Sequence, residues 1–266
     1  MHAIRCAGSS PHIVFMVPPR VRVIDLETTG SRPPAHAVCE IGWQDVVLSE
    51  GGRWIVSDDR GGQLVNPGRP IPPVTMAVHH IIDADVAAAP SWRDVAPGVL
   101  RPHEGALALA AHRAAFEQRF CTPQLSGGAR WICTWKCALR LWPDSPGFSN
   151  QVLRYCRMPA GLDREIGLPV HRAMPDAYVT AHHLRDMLNA ASLEQLVAWS
   201  DEPGLLPRVP AGPDRGRSWA ELDAEILHRL GKDRDEDIRF TAQTELRRRD
   251  GAGPVPPAQP RQGSLI

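Results

Sequence analysis

The stretch that decides the fold reads VRVIDLETTG and covers residues 21–30. Its first half is rich in β-branched residues, which is typical of a strand, and its last three residues are typical of a turn. Asp25 and Glu27 stand two positions apart at the end of this strand, so both side chains leave the same face. Adjacent carboxylates repel, and a fold tolerates them most readily when a cation lies between them. Taken alone, such a pair is more often two solvated charges at a strand–turn junction than a functional site.

The segments that follow predict an α/β fold with a mixed sheet. Strand patterns occur at 21–25, 38–48, 54–56, 63–65, 106–111 and 131–134, and helix patterns at 72–78, 84–88, 91–100, 114–120, 135–141 and 175–190. A strand meander followed by alternating helices and strands is typical of an α/β domain, in which helices flank the sheet.

The domain organisation follows from changes in composition along the chain. Residues 20–190 carry the α/β pattern, and residues 191–250 predict a small α-rich C-terminal module with helices at 193–199, 219–230 and 235–249. We expect residues 1–19 to form a disordered extension and residues 251–266, rich in Pro, Gly and Gln, a disordered tail.

Composition excludes several classes of protein. The chain has 30 basic and 30 acidic residues, so no global basic field attracts nucleic acid, although a local groove is compatible with this balance. No apolar run approaches the ~18 residues that span a bilayer. The six cysteines are scattered and form no CxxC pair, which favours reduced thiols over a structural zinc site. We therefore expect a cytoplasmic protein without a membrane partner.

Three further titratable residues extend the acidic pair. Glu117 follows the strand at 106–111, Asp176 lies near the start of the helix at 175–190, and His171 precedes Asp176 by five residues. Singly, each is compatible with a surface acid, a helix-capping acid or a surface histidine. Together, four acids drawn from three elements and one histidine are what hydrolysis of a phosphodiester by two hard cations requires.

Three segments resemble the motifs of the DEDDh group of exonucleases, which includes the proofreading subunits of bacterial replicative polymerases. They are DLETTG at 25–30, HRAAFE at 112–117 and HRAMPDA at 171–177, and the likeness extends to 72–81, 131–143 and 178–181. The resemblance covers residues 21–189, and a weaker one continues over 193–249.

This resemblance implies an RNase H-like fold and a metal-dependent 3′–5′ exonuclease. Such an enzyme releases nucleoside 5′-monophosphates from the 3′ end of DNA, in repair or replication, and holds two Mg²⁺ or Mn²⁺ ions per site. By this likeness Asp25 would bridge both ions, Glu27 and Asp176 would complete the first site, and Glu117 would serve the second. His171 would remove the proton from the attacking water.

The same resemblance implies a substrate-binding set. Thr28, Thr29 and His79 match positions that line the terminal nucleotide, and His112 and Arg113 belong to the second motif. An arginine at position 113 is compatible either with binding a phosphate or with crowding the cleft.

The chain departs from the family at three places. Glu117 stands where the family has Asp, Arg113 where it has Asn, and Gly212-Pro213 where the C-terminal module has Gly-Lys. The departures at Arg113 and Glu117 leave open a catalytically weakened protein that binds nucleic-acid ends. Activity on short RNA also stays open, because the sequence does not show whether the site recognises a 2′-hydroxyl. A dinucleotide-binding fold is excluded, because no GxGxxG follows the first strand.

Overall fold

The structure is a computed structural model that describes residues 17–251. Disorder was expected for residues 1–19 and 251–266. Except for residues 17–19 and 251, these segments lie outside the described residues.

A five-stranded mixed sheet organises the fold, as the sequence predicts. Its strands are β1 (Arg20–Thr28), β2 (Val38–Leu48), β3 (Trp54–Leu64), β4 (Ala108–Ala111) and β5 (Trp131–Cys133). The spatial order is β3-β2-β1-β4-β5, with β1, β2 and β3 antiparallel and with β4 and β5 parallel to β1. The strand that carries Asp25 and Glu27 is therefore central.

Helices flank this sheet and continue beyond it. They are α1 (Pro73–His79), α2 (Asp83–Val86), α3 (Trp92–Leu100), α4 (Glu117–Phe120), α5 (Pro123–Ser126), α6 (Thr134–Leu141), α7 (Asn150–Arg157), α8 (Ala173–Ala190), α9 (Leu193–Asp201), α10 (Ala224–Leu230) and α11 (Glu236–Arg249), with a 3₁₀ turn at Trp219–Glu221. No helix within residues 17–251 is long and apolar enough to cross a membrane.

Several predicted elements differ from the structure for local reasons. The helix predicted at 114–120 begins only at Glu117, because the left-handed φ of 68° at Arg113 turns the chain first. The helix predicted at 219–230 breaks where Leu222, in extended conformation, enters a buried cluster. The two short strands predicted at 54–56 and 63–65 are parts of β3.

Two helices were not predicted. Helix α7 is only 8 residues long and rich in polar side chains, and its start is stabilised by the Ser149 hydroxyl, which accepts a hydrogen bond from the N–H of Val152. Helix α5 is a single turn that begins at Pro123.

The two faces of β1 explain where the acids lie. Val21 and Val23 pack in the core beneath α8, with Ala177 among its contacts, whereas Ile24 belongs to the core on the opposite face. Since side chains alternate along a strand, Asp25 continues the face of Val21 and Val23. The apolar surface under α8 thus gives way to carboxylates at the end of β1.

Gly42 allows α8 to approach the sheet at this point. It pairs with Asp25 across the β1–β2 register, and a Cβ placed on it would lie 2.1 Å from both Ala173 C and Met174 N. On β3, a Cβ at Gly62 would lie 3.2 Å from Met174 Cβ. The N-terminus of α8 therefore rests on backbone that carries no side chains.

Gly42→Ala should displace α8 and destabilise the protein by about 1–3 kcal/mol, because the clash is with backbone that has no rotamer to change. The melting temperature measures this effect. Gly98→Ala is the matched control, since a Cβ there meets no atom of the described residues within 4 Å and alanine favours a helix. A Gly42→Ala protein as stable as wild type would contradict the close approach.

The chain after α9 has a separate apolar cluster. Its buried members are Val209, Trp219, Leu222, Leu227 and Ala242. These residues join the 3₁₀ turn, α10 and α11, which is the α-rich arrangement that the sequence predicts.

Candidate active site

Three of the four predicted acids meet at the end of β1. One carboxylate oxygen from each of Asp25, Glu27 and Asp176 lies within 4.8 Å of the other two. Asp25 and Glu27 lie on one face of β1. Asp176 lies in the first turn of α8, which packs on that face because Gly42 has no side chain.

Asp176 is fixed by donors from two segments. Its Oδ1 accepts hydrogen bonds from Gln151 Nε2 at 2.8 Å and Asn150 Nδ2 at 3.4 Å, and its Oδ2 accepts from the backbone N–H of His171 at 2.6 Å. Asn150 also donates to the backbone carbonyl of Asp176 at 3.1 Å. Asn150 and Gln151 are functional candidates that the sequence analysis missed, because the helix that carries them was not predicted.

Glu117 faces inward from the first turn of α4. The residue is 3% exposed, and its Oε2 has no hydrogen-bond partner among the described residues. Burial raises the pKa of Glu117 to about 8, and the charge of Glu27 adds to this effect. The charge of Glu117 in turn raises the pKa of Asp25, so this carboxyl group belongs electrostatically to the same cluster.

Burial and mutual repulsion disfavour the charged forms of these acids. Burial, then the charges of Asp176, Glu27, Glu117 and Glu40, raise the pKa of Asp25 well above its usual range. Burial, then the charges of Asp176 and Glu40, raise the pKa of Glu27 to about 8, against the opposing effect of Arg172. Carboxylate oxygens that repel one another, one of them buried without a partner in the described part of the chain, fit a hard divalent cation such as Mg²⁺.

His171 is held by its backbone beside this cluster. Its φ of 59° lies in the left-handed region, and its N–H donates to Asp176, while the side chain is exposed. A non-glycine residue in this conformation persists only where the surroundings enforce it, and such positions cluster at functional sites.

The predicted nucleotide-lining residues all have partners inside the protein. Thr28 Oγ1 donates to the carbonyl of Gly30 at 2.8 Å, and Thr29 Oγ1 accepts from the N–H of Ala37 at 3.0 Å. His79 is 1% exposed, and its Nδ1 accepts from Ile81 N at 3.0 Å. Thr28 and Thr29 therefore stabilise the loop after β1, and His79 stabilises the turn after α1.

His112 is engaged at both ring nitrogens. Its Nε2 donates to the carbonyl of Phe148 at 2.8 Å, and its Nδ1 accepts from Thr134 Oγ1 at 3.0 Å. Burial lowers the pKa of His112 to about 4, so the ring is neutral at physiological pH. The ring thus holds the segment that leads into α7.

Arg113 is exposed and has the left-handed φ of 68°. Asn is favoured in that conformation, which gives a backbone reason for the family's Asn at this position. In this chain the guanidinium Cζ lies 4.0 Å from the ring centroid of Trp135, so the side chain stacks on an aromatic face.

Comparisons with known proteins agree with this geometry. The model of the exonuclease family matches residues 23–122. Exodeoxyribonuclease 10 of Escherichia coli K12 is 34% identical over 234 residues, which cover 85% of this chain and 98% of the relative.

Solved structures share the fold. Exonuclease X in complex with 5′ overhanging duplex DNA matches with a TM-score of 0.56 and 34% identity, over 68% of this chain and 99% of that one. The nuclease domain of 3′hExo, a DEDDh family member bound to rAMP, matches with a TM-score of 0.51 and 17% identity, over 65% and 94% of the two chains. The predicted RNase H-like fold is thereby confirmed.

Proposed function

Because this chain belongs to the DEDDh exonuclease family and is a 3′–5′ exonuclease, we propose that it degrades DNA from the 3′ end by two-metal-ion catalysis. The products are nucleoside 5′-monophosphates, and His171 is the general base. DNA is the proposed substrate because the relative with 34% identity is an exodeoxyribonuclease, and the similar structure holds duplex DNA.

The observation that carries this proposal is the meeting of the carboxylates. Asp25, Glu27 and Asp176 place oxygens within 4.8 Å of one another. Glu117, whose Oε2 has no hydrogen-bond partner within residues 17–251, belongs to the same electrostatic cluster. Burying unpaired like charges is costly in the absence of a cation. The arrangement is therefore accounted for by bound cations rather than by stability of the fold.

The roles of the residues follow from their positions. Asp25, Glu27 and Asp176 are the proposed ligands of the first ion, and Asp25 and Glu117 those of the second. When bound, such ions supply charge neutralisation of the phosphate and a nucleophile at neutral pH. Asn150 and Gln151 orient Asp176 through its Oδ1.

His171 is the proposed acceptor of the proton from the attacking water. Imidazole is suited to this role near neutral pH, and its exposed position allows the proton to pass on to solvent. Its backbone hydrogen bond to Asp176 couples the base to the proposed ligand set.

The substrate is tested with 5′-labelled single-stranded DNA, duplexes with recessed or protruding 3′ ends, and an oligoribonucleotide, each titrated with Mg²⁺. We expect products that shorten from the 3′ end on DNA, with 5′-monophosphates identified by chromatography. Faster cleavage of the oligoribonucleotide would show that the preferred substrate is short RNA and not DNA. Binding of ends without any cleavage would favour the weakened, end-binding alternative.

Divalent cations should stabilise the protein independently of activity. Binding at 100 times the dissociation constant adds about 2.7 kcal/mol, which corresponds to roughly 5–10 °C in melting temperature. The measurement compares protein in EDTA with protein in Mg²⁺ or Mn²⁺, with NaCl at equal ionic strength as the control. Equal melting temperatures in all three solutions would contradict a cation site.

Glu117→Gln should lower kcat by at least about 10²-fold, because a proposed ligand loses its charge. Its melting temperature in EDTA should not fall, since a neutral amide avoids the burial cost that raises the pKa of Glu117. Glu117→Asp, which installs the residue usual in the family, should retain activity. A Glu117→Gln enzyme with wild-type kcat would remove this residue from the proposed ligands.

A further inference from the structure

Glu40 and Arg172 form an ion pair at the edge of the carboxylate cluster. Arg172 Nη2 donates to Glu40 Oε1 at 2.6 Å and Arg172 Nε donates to Oε2 at 3.0 Å, so the contact is bidentate. Glu40 Oε2 also accepts from the backbone N–H of Ala173 at 3.0 Å. The Glu40 side chain is 7% exposed, and a bidentate pair of this kind is directional as well as strong.

The contact with Ala173 caps α8 from another element. Ala173 is the first residue of α8, and its N-cap residue, Arg172, provides no side-chain cap. The free N–H groups at a helix start need acceptors, and a carboxylate there also interacts favourably with the helix dipole. Glu40, which lies 133 positions away in sequence, supplies that acceptor.

The strand register shows why this cap bears on the site. Glu40 pairs with Glu27 and Gly42 pairs with Asp25 across β1 and β2. Residues two apart on a strand share a face, so Glu40 and Gly42 contact α8 on the same face of the sheet as Asp25 and Glu27. Gly42 leaves room for the helix backbone, and Glu40 binds the backbone N–H of its first residue, Ala173.

The charge of Glu40 is unfavourable for the site unless it is balanced. It raises the pKa of both Asp25 and Glu27 by repulsion. The positive charge of Arg172 lowers the pKa of Glu27 and so opposes this effect. The hydrogen bonds between the two residues hold the Arg172 guanidinium against Glu40. A guanidinium released from Glu40 would be free to pair with a proposed metal ligand in place of a cation.

We propose that Glu40 and Arg172 act together as positioning residues, docking the His171–Asp176 segment on the sheet so that Asp176 and His171 meet the acids of β1. Neither residue touches the reacting atoms in this role. The inference rests on the proposed function, because it assigns the pair a purpose in metal binding and turnover.

The test uses Glu40→Gln and Arg172→Lys in the full chain. The first can still cap Ala173 but cannot accept a charged bidentate contact, and the second keeps the charge but loses the planar fork. Mn²⁺ affinity, measured by calorimetry without DNA, should weaken about 10–100-fold in each, as for other residues that orient metal ligands. The double variant should be no worse than the worse single one, because the residues act as one unit.

Turnover gives a second readout. At saturating Mn²⁺, kcat should fall by about tenfold or more while KM for DNA changes less than about twofold, since chemistry rather than binding is disturbed. Arg172→Lys provides a second route to the result if Glu40→Gln folds poorly.

Glu245→Gln is the matched control. Glu245 has a side chain 10% exposed and accepts from Arg248 at 2.8 Å and Arg249 at 2.9 Å, within α11. This variant should lower the melting temperature without changing Mn²⁺ affinity or kcat. A Glu40→Gln protein that behaves in the same way would overturn the positioning role and leave a purely structural ion pair.

The two proposals fail differently. A wild-type chain that binds Mn²⁺ but degrades no DNA would contradict the proposed substrate. The Mn²⁺ affinities of Glu40→Gln and Arg172→Lys would still decide the role of the pair.

Discussion

Asp25→Asn should abolish hydrolysis of a 5′-labelled oligonucleotide in Mg²⁺ and leave the metal-free protein at least as stable as wild type. Both results follow from the same electrostatics. Asp25 is partly buried, and the charges of Asp176, Glu27, Glu117 and Glu40 raise its pKa, so a neutral side chain of the same shape relieves repulsion. The proposed bridging ligand is lost at the same time, and we expect a rate loss of at least about 10³-fold.

The measurements are the rate at saturating Mg²⁺ and the melting temperature with and without the ion. In Asp25→Asn the stabilisation by Mg²⁺ should shrink or vanish. Asp59→Asn is the control, because Asp59 is an acid of the same sheet that pairs with Arg20 and Arg22 and is 47% exposed at its side chain. It should keep both activity and the response to Mg²⁺. Near-normal turnover by Asp25→Asn would eliminate the two-metal assignment.

Replacing His171 should lower kcat by ~10²–10⁴-fold, which is the usual contribution of a general base. Asparagine is the sharper substitution than alanine, because it tolerates the left-handed backbone that His171 adopts. The N–H that donates to Asp176 is retained in either variant, so affinity for Mn²⁺ and for DNA should stay close to wild type.

The pH–rate profile separates a base from a bystander. At saturating Mg²⁺, where the proposed ligands are held ionised, a protonated imidazole cannot accept a proton, so the wild-type rate should still fall towards acid pH. The His171→Asn profile should lose that limb and keep a small residual rate at high pH. His103→Ala, at an exposed position, is the control. A His171 variant with the wild-type rate and acid limb would leave the ring without a chemical role.

Much of the architecture was predictable from the sequence because the relevant signals are local. The alternation in β1 fixes which side chains share a face, so Asp25 and Glu27 could be placed together before any tertiary contact was known. The apolar spacing of α8 likewise indicated a long helix with Asp176 in its first turn. Helix α7 was not predicted because it is only 8 residues long and rich in polar side chains, so its apolar face is small.

Only the tertiary structure decided how the acids come together. Gly42 reads as an ordinary strand glycine until the backbone of α8 is seen lying against it, and Glu40 as an ordinary strand acid until it meets Arg172. His112 likewise belongs to a motif in the sequence, yet both of its ring nitrogens bind other segments. Such contacts join residues far apart in the chain, whose separation in space follows from packing and not from local spacing. Sequence periodicity therefore indicates the face of its element on which each acid lies. The distance between acids on different elements depends instead on packing: Gly42 has no side chain and lets α8 approach the sheet, and the Glu40 carboxylate binds the start of that helix.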